Sequence, residues 1–157
     1  KKMPSLLKRG REGNRLINRI TIEQSGVGNQ TGKARMITGS NPDAGHMEYL
    51  LDGTAHPDAI PTITIDHYCQ KNEIELNQND LIKADAEGAD LDVLFGAEDQ
   101  IRRNAPQIAI TTYHVDDHAE RMIDWLREIH PEYKLRLKGL SFWTNNPRPV
   151  LVQASTL

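Results

Sequence analysis

The chain has 157 residues, a formal net charge of −3 and a mean hydropathy of −0.59. This length predicts one domain with a real core rather than two. No apolar run is long enough for a membrane span and no signal peptide is recognisable, so we expect a soluble protein without a membrane partner. Cys69 is the only cysteine. This excludes an internal disulfide and fits a reducing compartment, so a cytoplasmic location is expected.

Charges are unevenly distributed along the chain. Residues 1–20 carry seven bases and one acid, a pattern that suits either phosphate binding or a solvated helix face. We interpret it as a solvated face, because no aromatic residues interleave with the bases. Residues 80–99 carry seven acids and one base, which argues against a polyanion beside that segment. No nucleic-acid partner is therefore predicted.

The first part of the chain predicts a helix and a β-hairpin. Residues 4–18 read as a helix interrupted by two glycines, and residues 19–24 and 33–38 alternate as strands. The glycine-rich segment 25–32 joins them; it matches neither a P-loop nor a dinucleotide fingerprint, so it is interpreted as a turn. Residues 39–61 are polar and predict a long loop of the kind that forms lids or binding loops.

The middle of the chain begins a strand–helix alternation. Residues 62–65 form a β-branched run, and Thr64 or Asp66 is expected to cap a short helix that ends at Lys71. A buried strand is predicted at residues 81–84. The helix after it carries an apolar stripe with spacings of three, three and four. The stripe consists of Leu91, Leu94, Ala97 and Ile101.

The last third continues the alternation. A strand is predicted at 108–113, and Asp117 with Glu120 forms a capping-box variant before the next helix. The core stripe of that helix is Ala119, Met122, Ile123, Leu126 and Ile129. Residues 133–138 and 150–154 read as a closing pair of strands. This succession predicts a parallel α/β sheet with right-handed crossovers.

The segment around residue 85 is the most informative part of the sequence. Asp85 and Glu87 follow a predicted strand directly, and His114 ends the next strand. Ligands of open α/β sheets bind at the carboxyl ends of strands, so these side chains are candidates for a general base or a divalent-ion site. The alternative is that both carboxylates bind backbone amides at the helix start while His114 caps the next turn.

Two aromatic residues near this edge have more than one interpretation. Tyr113, the last residue of the predicted strand, is expected to pack rather than to act chemically. Trp143, between the last two strands, provides either a platform for an acceptor or a core or partner contact, and the second is the commoner case.

Three ordered segments resemble one known family. Residues 82–97, IKADAEGADLDVLFGA, resemble the I-K-x-D-x-E-G-A-[ED]-x-x-[VA]-L-x-G-A signature of the FkbM family of S-adenosylmethionine-dependent methyltransferases. Residues 62–66 resemble the T-[LI]-D segment of that family, and residues 106–114 resemble its P-x-[IL]-x-I-x-x-Y-H strand. The resemblance runs from about Ile20 to the end of the chain.

The resemblance implies a fold. It is a Rossmann-like class I methyltransferase sheet, mostly parallel with an antiparallel last strand, of which this chain lacks the first strands. Residues 1–157 are then a single partial methyltransferase domain, its C-terminal two-thirds. By this reading residues 19–24, 81–84 and 108–113 are the third, fourth and fifth strands, and the closing pair supplies the last two.

The resemblance also implies a cofactor and site residues. The cofactor is S-adenosyl-L-methionine, with contacts predicted at Ser25 and Gly26, and the catalytic candidates are Asp85, Glu87 and His114. In that fold a glycine-rich turn after the first strand and an acid at the end of the second hold most of the cofactor, and neither is in this chain. The catalytic candidates are compatible with a divalent metal ion, but no metal site is predicted.

Two functions from different classes follow. The first is O-methylation of a hydroxyl group on a small metabolite or glycan. The alternative is a non-catalytic, truncated methyltransferase-fold module that binds a protein partner through an exposed sheet edge. A sheet without its central strands would expose apolar surface, so a homo-oligomer or a completing chain is expected.

Overall fold

The computed structural model describes residues 3–38, 45–51, 55–143 and 146–157. Within these ranges the chain forms five helices and eight strands. The helices are α1 (Met3–Gly13), α2 (Ile65–Lys71), α3 (Asp90–Phe95), α4 (Glu98–Asn104) and α5 (His118–Ile129). The strands are β1 (Gly26–Val27), β2 (Gly32–Thr38), β3 (Gly45–Tyr49), β4 (Ala59–Ile63), β5 (Leu81–Ala84), β6 (Gln107–Thr111), β7 (Lys134–Ser141) and β8 (Arg148–Ser155). None of the described helices is long and apolar enough to cross a membrane.

The first sheet has the strand order β1-β4-β2-β3. The short strand β1 pairs parallel with β4, whereas β2 pairs antiparallel with both β3 and β4. The predicted strand at 19–24 is therefore wrong, since that segment has no strand neighbour and Ile20 instead bonds back to Leu16 at 3.1 Å. Its alternation does not lead to burial, and Ile20 remains 42% exposed.

The predicted long loop at 39–61 is also wrong for much of its length. It contains β3 and β4, which flank β2 and satisfy its backbone on both sides. The polar residues that suggested a loop alternate with apolar ones in β3, where Met47 lies opposite Met36 of β2. Residues 39–44 and 52–54, which belong to the same predicted loop, lie outside the described ranges.

The second sheet has the strand order β5-β6-β8-β7. Strands β5 and β6 are parallel, and β8 is antiparallel to both of its neighbours. The chain is therefore an α/β protein with two mixed sheets, and the expected mostly parallel sheet is wrong. The closing strands explain the difference, because the β7–β8 hairpin adds antiparallel partners to the one parallel pair in this sheet. The antiparallel last strand is confirmed.

The core lies between the second sheet and helices α3, α4 and α5. Both predicted helical stripes are buried there, apart from the partly buried Ile123, together with alternate residues of β5, β6 and β8. Leu94, Ile101, Met122, Leu126 and Val152 are each 0% exposed. The predicted buried strand 81–84 is buried on one side, since Leu81 is 58% exposed.

The predicted helix over residues 91–101 is divided into α3 and α4. The division occurs at Gly96, whose carbonyl accepts a hydrogen bond of 2.9 Å from Asp66 N. The Asp66 carboxylate accepts bonds of 3.0 Å from the amides of Asp99 and Gln100, so it caps α4 rather than its own helix. Thr64 caps α2 through its hydroxyl, as predicted, by accepting from His67 N at 3.0 Å.

The capping box predicted before α5 does not form. Asp117 is the N-cap residue, but its side chain makes no capping hydrogen bond. It instead lies 3.6 Å from Arg121 as an exposed ion pair. Pairs of this kind contribute little to stability. The start of α5 is thus placed by the packing of its buried face rather than by a local cap.

Candidate active site at the ends of β5 and β6

The carboxyl ends of β5 and β6 meet at one edge of the second sheet. The two strands run parallel, with Ala84 opposite Ile110. Asp85 follows β5 directly, and His114 lies three residues beyond the end of β6. His114 Nε2 is 3.6 Å from Asp85 Oδ1 and 3.5 Å from Glu87 Oε2. The three predicted catalytic residues therefore form one cluster, called the acidic cluster below.

Asp90, which sequence reasoning did not single out, organises this cluster. Its side chain is wholly buried at the start of α3. It accepts hydrogen bonds from Ala86 N at 2.8 Å and Gly88 N at 3.1 Å, which closes the turn between β5 and α3. It also accepts from Thr111 Oγ1 at 2.8 Å and lies 3.0 Å from His114 Nδ1. One carboxylate thus fixes both the acidic turn and the imidazole ring.

The charge of Asp90 determines the tautomer of His114. Burial alone would raise the pKa of Asp90, but the hydrogen bonds from Ala86, Thr111, Gly88 and His114 together hold that pKa below its ordinary value. Asp90 is therefore ionised at neutral pH and can only accept hydrogen bonds. His114 Nδ1 must carry a proton to donate, so in the neutral ring the lone pair is on Nε2. Nε2 points into the acidic cluster.

The two cluster carboxylates remain available for chemistry. Thr111 Oγ1, which donates to Asp90, also lies 3.2 Å from Asp85 Oδ1, and Tyr113 OH lies 3.5 Å from the same oxygen. Asp85 and Glu87 are each 45% exposed. Within the described chain neither accepts a bond from a backbone amide, because Asp90 has taken that role. The capping alternative considered for these two carboxylates is therefore wrong.

The backbone of the acidic turn adopts a conformation that is rare for side-chain-bearing residues. Glu87 has φ of 50° and Gly88 has φ of 104°. A left-handed conformation at a non-glycine residue costs about 1–2 kcal/mol. The two Asp90 bonds on either side of Glu87 oppose that cost. The strained conformation brings the Glu87 carboxylate towards His114.

An aromatic cleft lies beside the cluster. It has a volume of about 480 Å³ and is lined by Tyr113, Leu140, Ser141, Phe142, Trp143 and Val150. The Tyr113 ring lies 4.1 Å from the His114 ring and contacts Trp143 edge-on at 5.4 Å. Trp143 is 85% exposed, so it makes no core contact. Tyr113 therefore connects the acidic cluster to this cleft.

Arg148, from the distant strand β8, holds the segment that carries Tyr113 and His114. Its guanidinium donates to Tyr113 O at 3.0 Å and forms an ion pair with Asp116. No local sequence pattern indicates this role, because the partners are more than thirty residues apart. The pair limits the movement of the chain that follows β6.

Ser25 and Gly26 lie elsewhere. They line a separate cleft of about 290 Å³ that includes Leu7 and Ile60 and none of the acidic cluster. Ser25 Oγ donates to Glu23 at 3.0 Å. A side chain at Gly26 would contact Met47 Sδ of β3, an atom of a flexible side chain that would have to move. Their role as cofactor contacts stays a prediction.

Comparison with known proteins agrees with the resemblance described above. The family model of the methyltransferase FkbM domain matches residues 10–133. The crystal structure of methyltransferase FkbM from Methylobacillus flagellatus KT has a similar fold, with a TM-score of 0.60 and 23% sequence identity over 97% of this chain. This chain spans 32% of the length of that protein. The curated proteins contain no match. On the family match, the chain belongs to the FkbM methyltransferase domain family.

Proposed function

We propose that this chain supplies the acceptor-activating part of a methyltransferase that methylates a hydroxyl oxygen of a small metabolite or glycan. The supporting observation is His114, whose Nε2 faces two half-exposed carboxylates while Nδ1 is held by the buried Asp90. A base oriented by a buried carboxylate is a recurrent arrangement for removing a proton from a hydroxyl group.

A cofactor of the S-adenosylmethionine type fits the charge of this site. When bound, it supplies an electrophilic methyl group on a positively charged sulfur. Carboxylates and an aromatic ring both attract cations, and Asp85 and Tyr113 offer them side by side. Asp85 and Tyr113 would hold the sulfonium end. Ser25 and Gly26 remain the predicted contacts for the rest of the molecule.

The acidic cluster prepares the acceptor by removing its proton. His114 Nε2 has no hydrogen-bond partner among the described residues and is the atom best oriented to take that proton. The imidazolium that results lies between three carboxylates, those of Asp85, Glu87 and Asp90, which stabilise its charge.

The aromatic cleft is the proposed acceptor site. Its size suits a small molecule or one sugar unit, and its rings offer flat apolar surfaces. Tyr113 forms one wall, and its hydroxyl lies 3.5 Å from Asp85, so an acceptor in the cleft would lie beside the cluster. Trp143 is the proposed platform.

We also propose that the second sheet is part of a Rossmann-like class I sheet and that the protein is cytoplasmic. The parallel pair β5–β6, connected through α3 and α4 and followed by the antiparallel β8, supports the first proposal. The buried free thiol of Cys69 supports the second, because such thiols persist in reducing compartments.

Transfer of a labelled methyl group tests the proposed function. A protein that contains this chain is titrated calorimetrically with S-adenosylmethionine and then incubated with the methyl-labelled cofactor and a panel of polyols and saccharides. We expect binding and labelling, with Asp85→Asn reducing the rate about 100-fold or more. Asp124→Asn is the matched control, because Asp124 is an exposed carboxylate on α5 away from the cluster. A protein that contains this chain, binds the cofactor and labels no acceptor contradicts the proposal, as do equal labelling rates for Asp85→Asn and Asp124→Asn.

A non-catalytic module that binds a protein partner is the second candidate. It is supported by β5, which pairs only with β6 in the described chain and presents Leu81 at 58% exposure. Exposed edges with apolar side chains are sites of association. A second copy or a completing chain would cover this edge. Cofactor binding by the isolated chain would argue against this candidate, and concentration-dependent sedimentation without cofactor binding would favour it.

A further inference from the structure

We propose that Asp85, Glu87 and His114 bind a divalent first-row transition-metal ion. Each offers one ligand atom, and the three atoms lie within 4.8 Å of one another. His114 Nε2 is 3.6 Å from Asp85 Oδ1 and 3.5 Å from Glu87 Oε2. Ligands of a tetrahedral ion are separated by roughly 3.4 Å when each lies at about 2.1 Å from it. Both separations from Nε2 therefore suit atoms that share one ion.

The burial of His114 is an independent reason to infer a ligand. Its side chain is 10% exposed, and Nε2 is buried without a hydrogen-bond partner among the described residues. The ring places this nitrogen facing two carboxylate oxygens at distances too long for good hydrogen bonds. A buried polar atom without a partner is uncommon in folded proteins. A cation between the nitrogen and the carboxylates would satisfy all three groups.

The surrounding residues form the outer support that metal ligands usually have. His114 Nδ1 lies 3.0 Å from Asp90, which reproduces the carboxylate–histidine–metal arrangement. Asp85 Oδ1 lies 3.2 Å from Thr111 Oγ1 and 3.5 Å from Tyr113 OH. His114 is therefore oriented from outside the cluster by Asp90 of α3, and Asp85 has neighbouring hydroxyl groups on β6 and just after it. Glu87 is oriented by the left-handed turn.

The donor set indicates the class of ion. One imidazole nitrogen and two carboxylate oxygens suit manganese, iron or zinc better than magnesium or calcium, which prefer oxygen alone. The two carboxylates are 45% exposed, so the site is open on one side. Open coordination positions are typical of catalytic rather than structural sites. Tyr113, whose hydroxyl lies 3.5 Å from Asp85, also lines the aromatic cleft beside the cluster.

The consequence for chemistry rests on the proposed function. An ion at this position polarises a hydroxyl oxygen of the acceptor, so its proton is lost to water at a lower pH. The oxygen then forms a bond to the methyl carbon as the carbon–sulfur bond breaks. His114 serves in that case as a ligand rather than as the proton acceptor. Binding of the ion itself does not require methyl transfer.

Titration of the metal-stripped chain with Mn²⁺ tests the site directly. Loss of the free-ion signal in electron paramagnetic resonance, supported by calorimetry, reports binding without any enzymatic reaction. We expect one saturable site per chain. Asp85→Asn and Glu87→Gln should each weaken binding about tenfold or more. Asp124→Asn changes the charge equally at an exposed position outside the cluster and should leave the affinity unchanged.

Glu87→Gln keeps the test decisive if Asp85→Asn disturbs folding. Among the described residues Glu87 forms an ion pair with His114 alone, so its replacement leaves the Asp90-closed turn intact. Absence of a saturable Mn²⁺ site, or equal affinity in Glu87→Gln and Asp124→Asn, overturns the metal proposal. Methyl transfer that persists in excess chelator would overturn its catalytic role and leave the proposed function standing. Mn²⁺ binding without methyl transfer would support the metal site and overturn the proposed function.

Discussion

At the scale of single residues, Asp90 connects folding to chemistry. Its carboxylate accepts two backbone and one hydroxyl hydrogen bond and fixes the His114 ring from a fully buried position. The turn and the candidate base therefore share one anchor. Damage to this anchor should appear both as lost stability and as a misplaced imidazole.

Replacing Asp90 tests this anchor. Asp90→Asn keeps the shape but presents an amide group where donors now point, so we expect the free energy of unfolding to fall by about 2–4 kcal/mol. Urea denaturation measures the change. Asp92→Asn, two residues along α3, is the control, because Asp92 accepts a single side-chain hydrogen bond from Asn29 at 2.9 Å. Equal losses in the two variants would show that Asp90 has no special role.

The sequence predicted the members of the acidic cluster but not its organiser. Asp85, Glu87 and His114 were identified because the ends of parallel strands share an edge, and the structure brings them within 3.6 Å of a common nitrogen. Asp90 read as one more acid in an acidic segment. Asp90 occupies the [ED] position of the quoted signature, but its distinguishing property is complete burial, which depends on how α3 packs.

At the scale of elements, glycines determine how closely segments approach. Gly96, at the end of α3, lies against the carbonyl of Gly28, and an added side chain would collide with that backbone oxygen. The same region carries the bond from Gly28 N to Ile63 O at 3.2 Å and the bond from Asn29 to Asp92. The close contact between the end of α3 and the segment that follows β1 thus depends on Gly96 having no side chain.

A pair of glycine substitutions separates packing from helix propensity. Gly96→Ala should destabilise the chain by about 1–3 kcal/mol, because backbone must move to admit the methyl group. Gly10→Ala should leave stability unchanged or raise it by about 0.5–1 kcal/mol, since Gly10 lies inside α1 with no atom near the added carbon. Thermal unfolding of both variants measures the difference. Tolerance of Gly96→Ala would contradict the close approach.

Helices and strands were predicted correctly where the local sequence pattern matched the neighbouring elements in the fold. The strand at 81–84 was predicted to the residue, because a short apolar run there is followed by a helix that covers it. The strand at 19–24 failed because alternation requires a neighbouring strand, and none of the described strands lies beside it. The loop predicted at 39–61 was wrong because β2 lies beside this segment and forms antiparallel pairs with two stretches of it, β3 and β4, although the segment is polar.

At the scale of the whole molecule, the core of the second sheet is closed by Tyr133. This residue is 7% exposed and donates to Pro106 O at 2.6 Å, which joins the segment before β7 to the segment before β6. Burial raises the pKa of the Tyr133 phenol far above its ordinary value of 10.0. The folded chain therefore keeps this proton at pH values where the unfolded chain releases it.

That difference predicts a dependence of stability on alkaline pH. Because the pKa of Tyr133 is raised in the folded state, the stabilisation from its protonated phenol is fully present below about pH 10. It is lost as the pH rises above the pKa of the unfolded state. Tyr133→Phe cannot ionise; at pH 8 it should be less stable than wild type by about 1–2 kcal/mol, because Pro106 O loses its donor. Above about pH 10 the difference in unfolding free energy between wild type and Tyr133→Phe should narrow, since only the wild type loses the stabilisation from the protonated phenol. Urea unfolding at pH 8, 9, 10 and 11 measures this difference. Tyr68→Phe on α2 is the control, and its stability should follow that of the wild type over the same pH range. A gap that stays constant over this range would show that Tyr133 ionisation is not linked to folding.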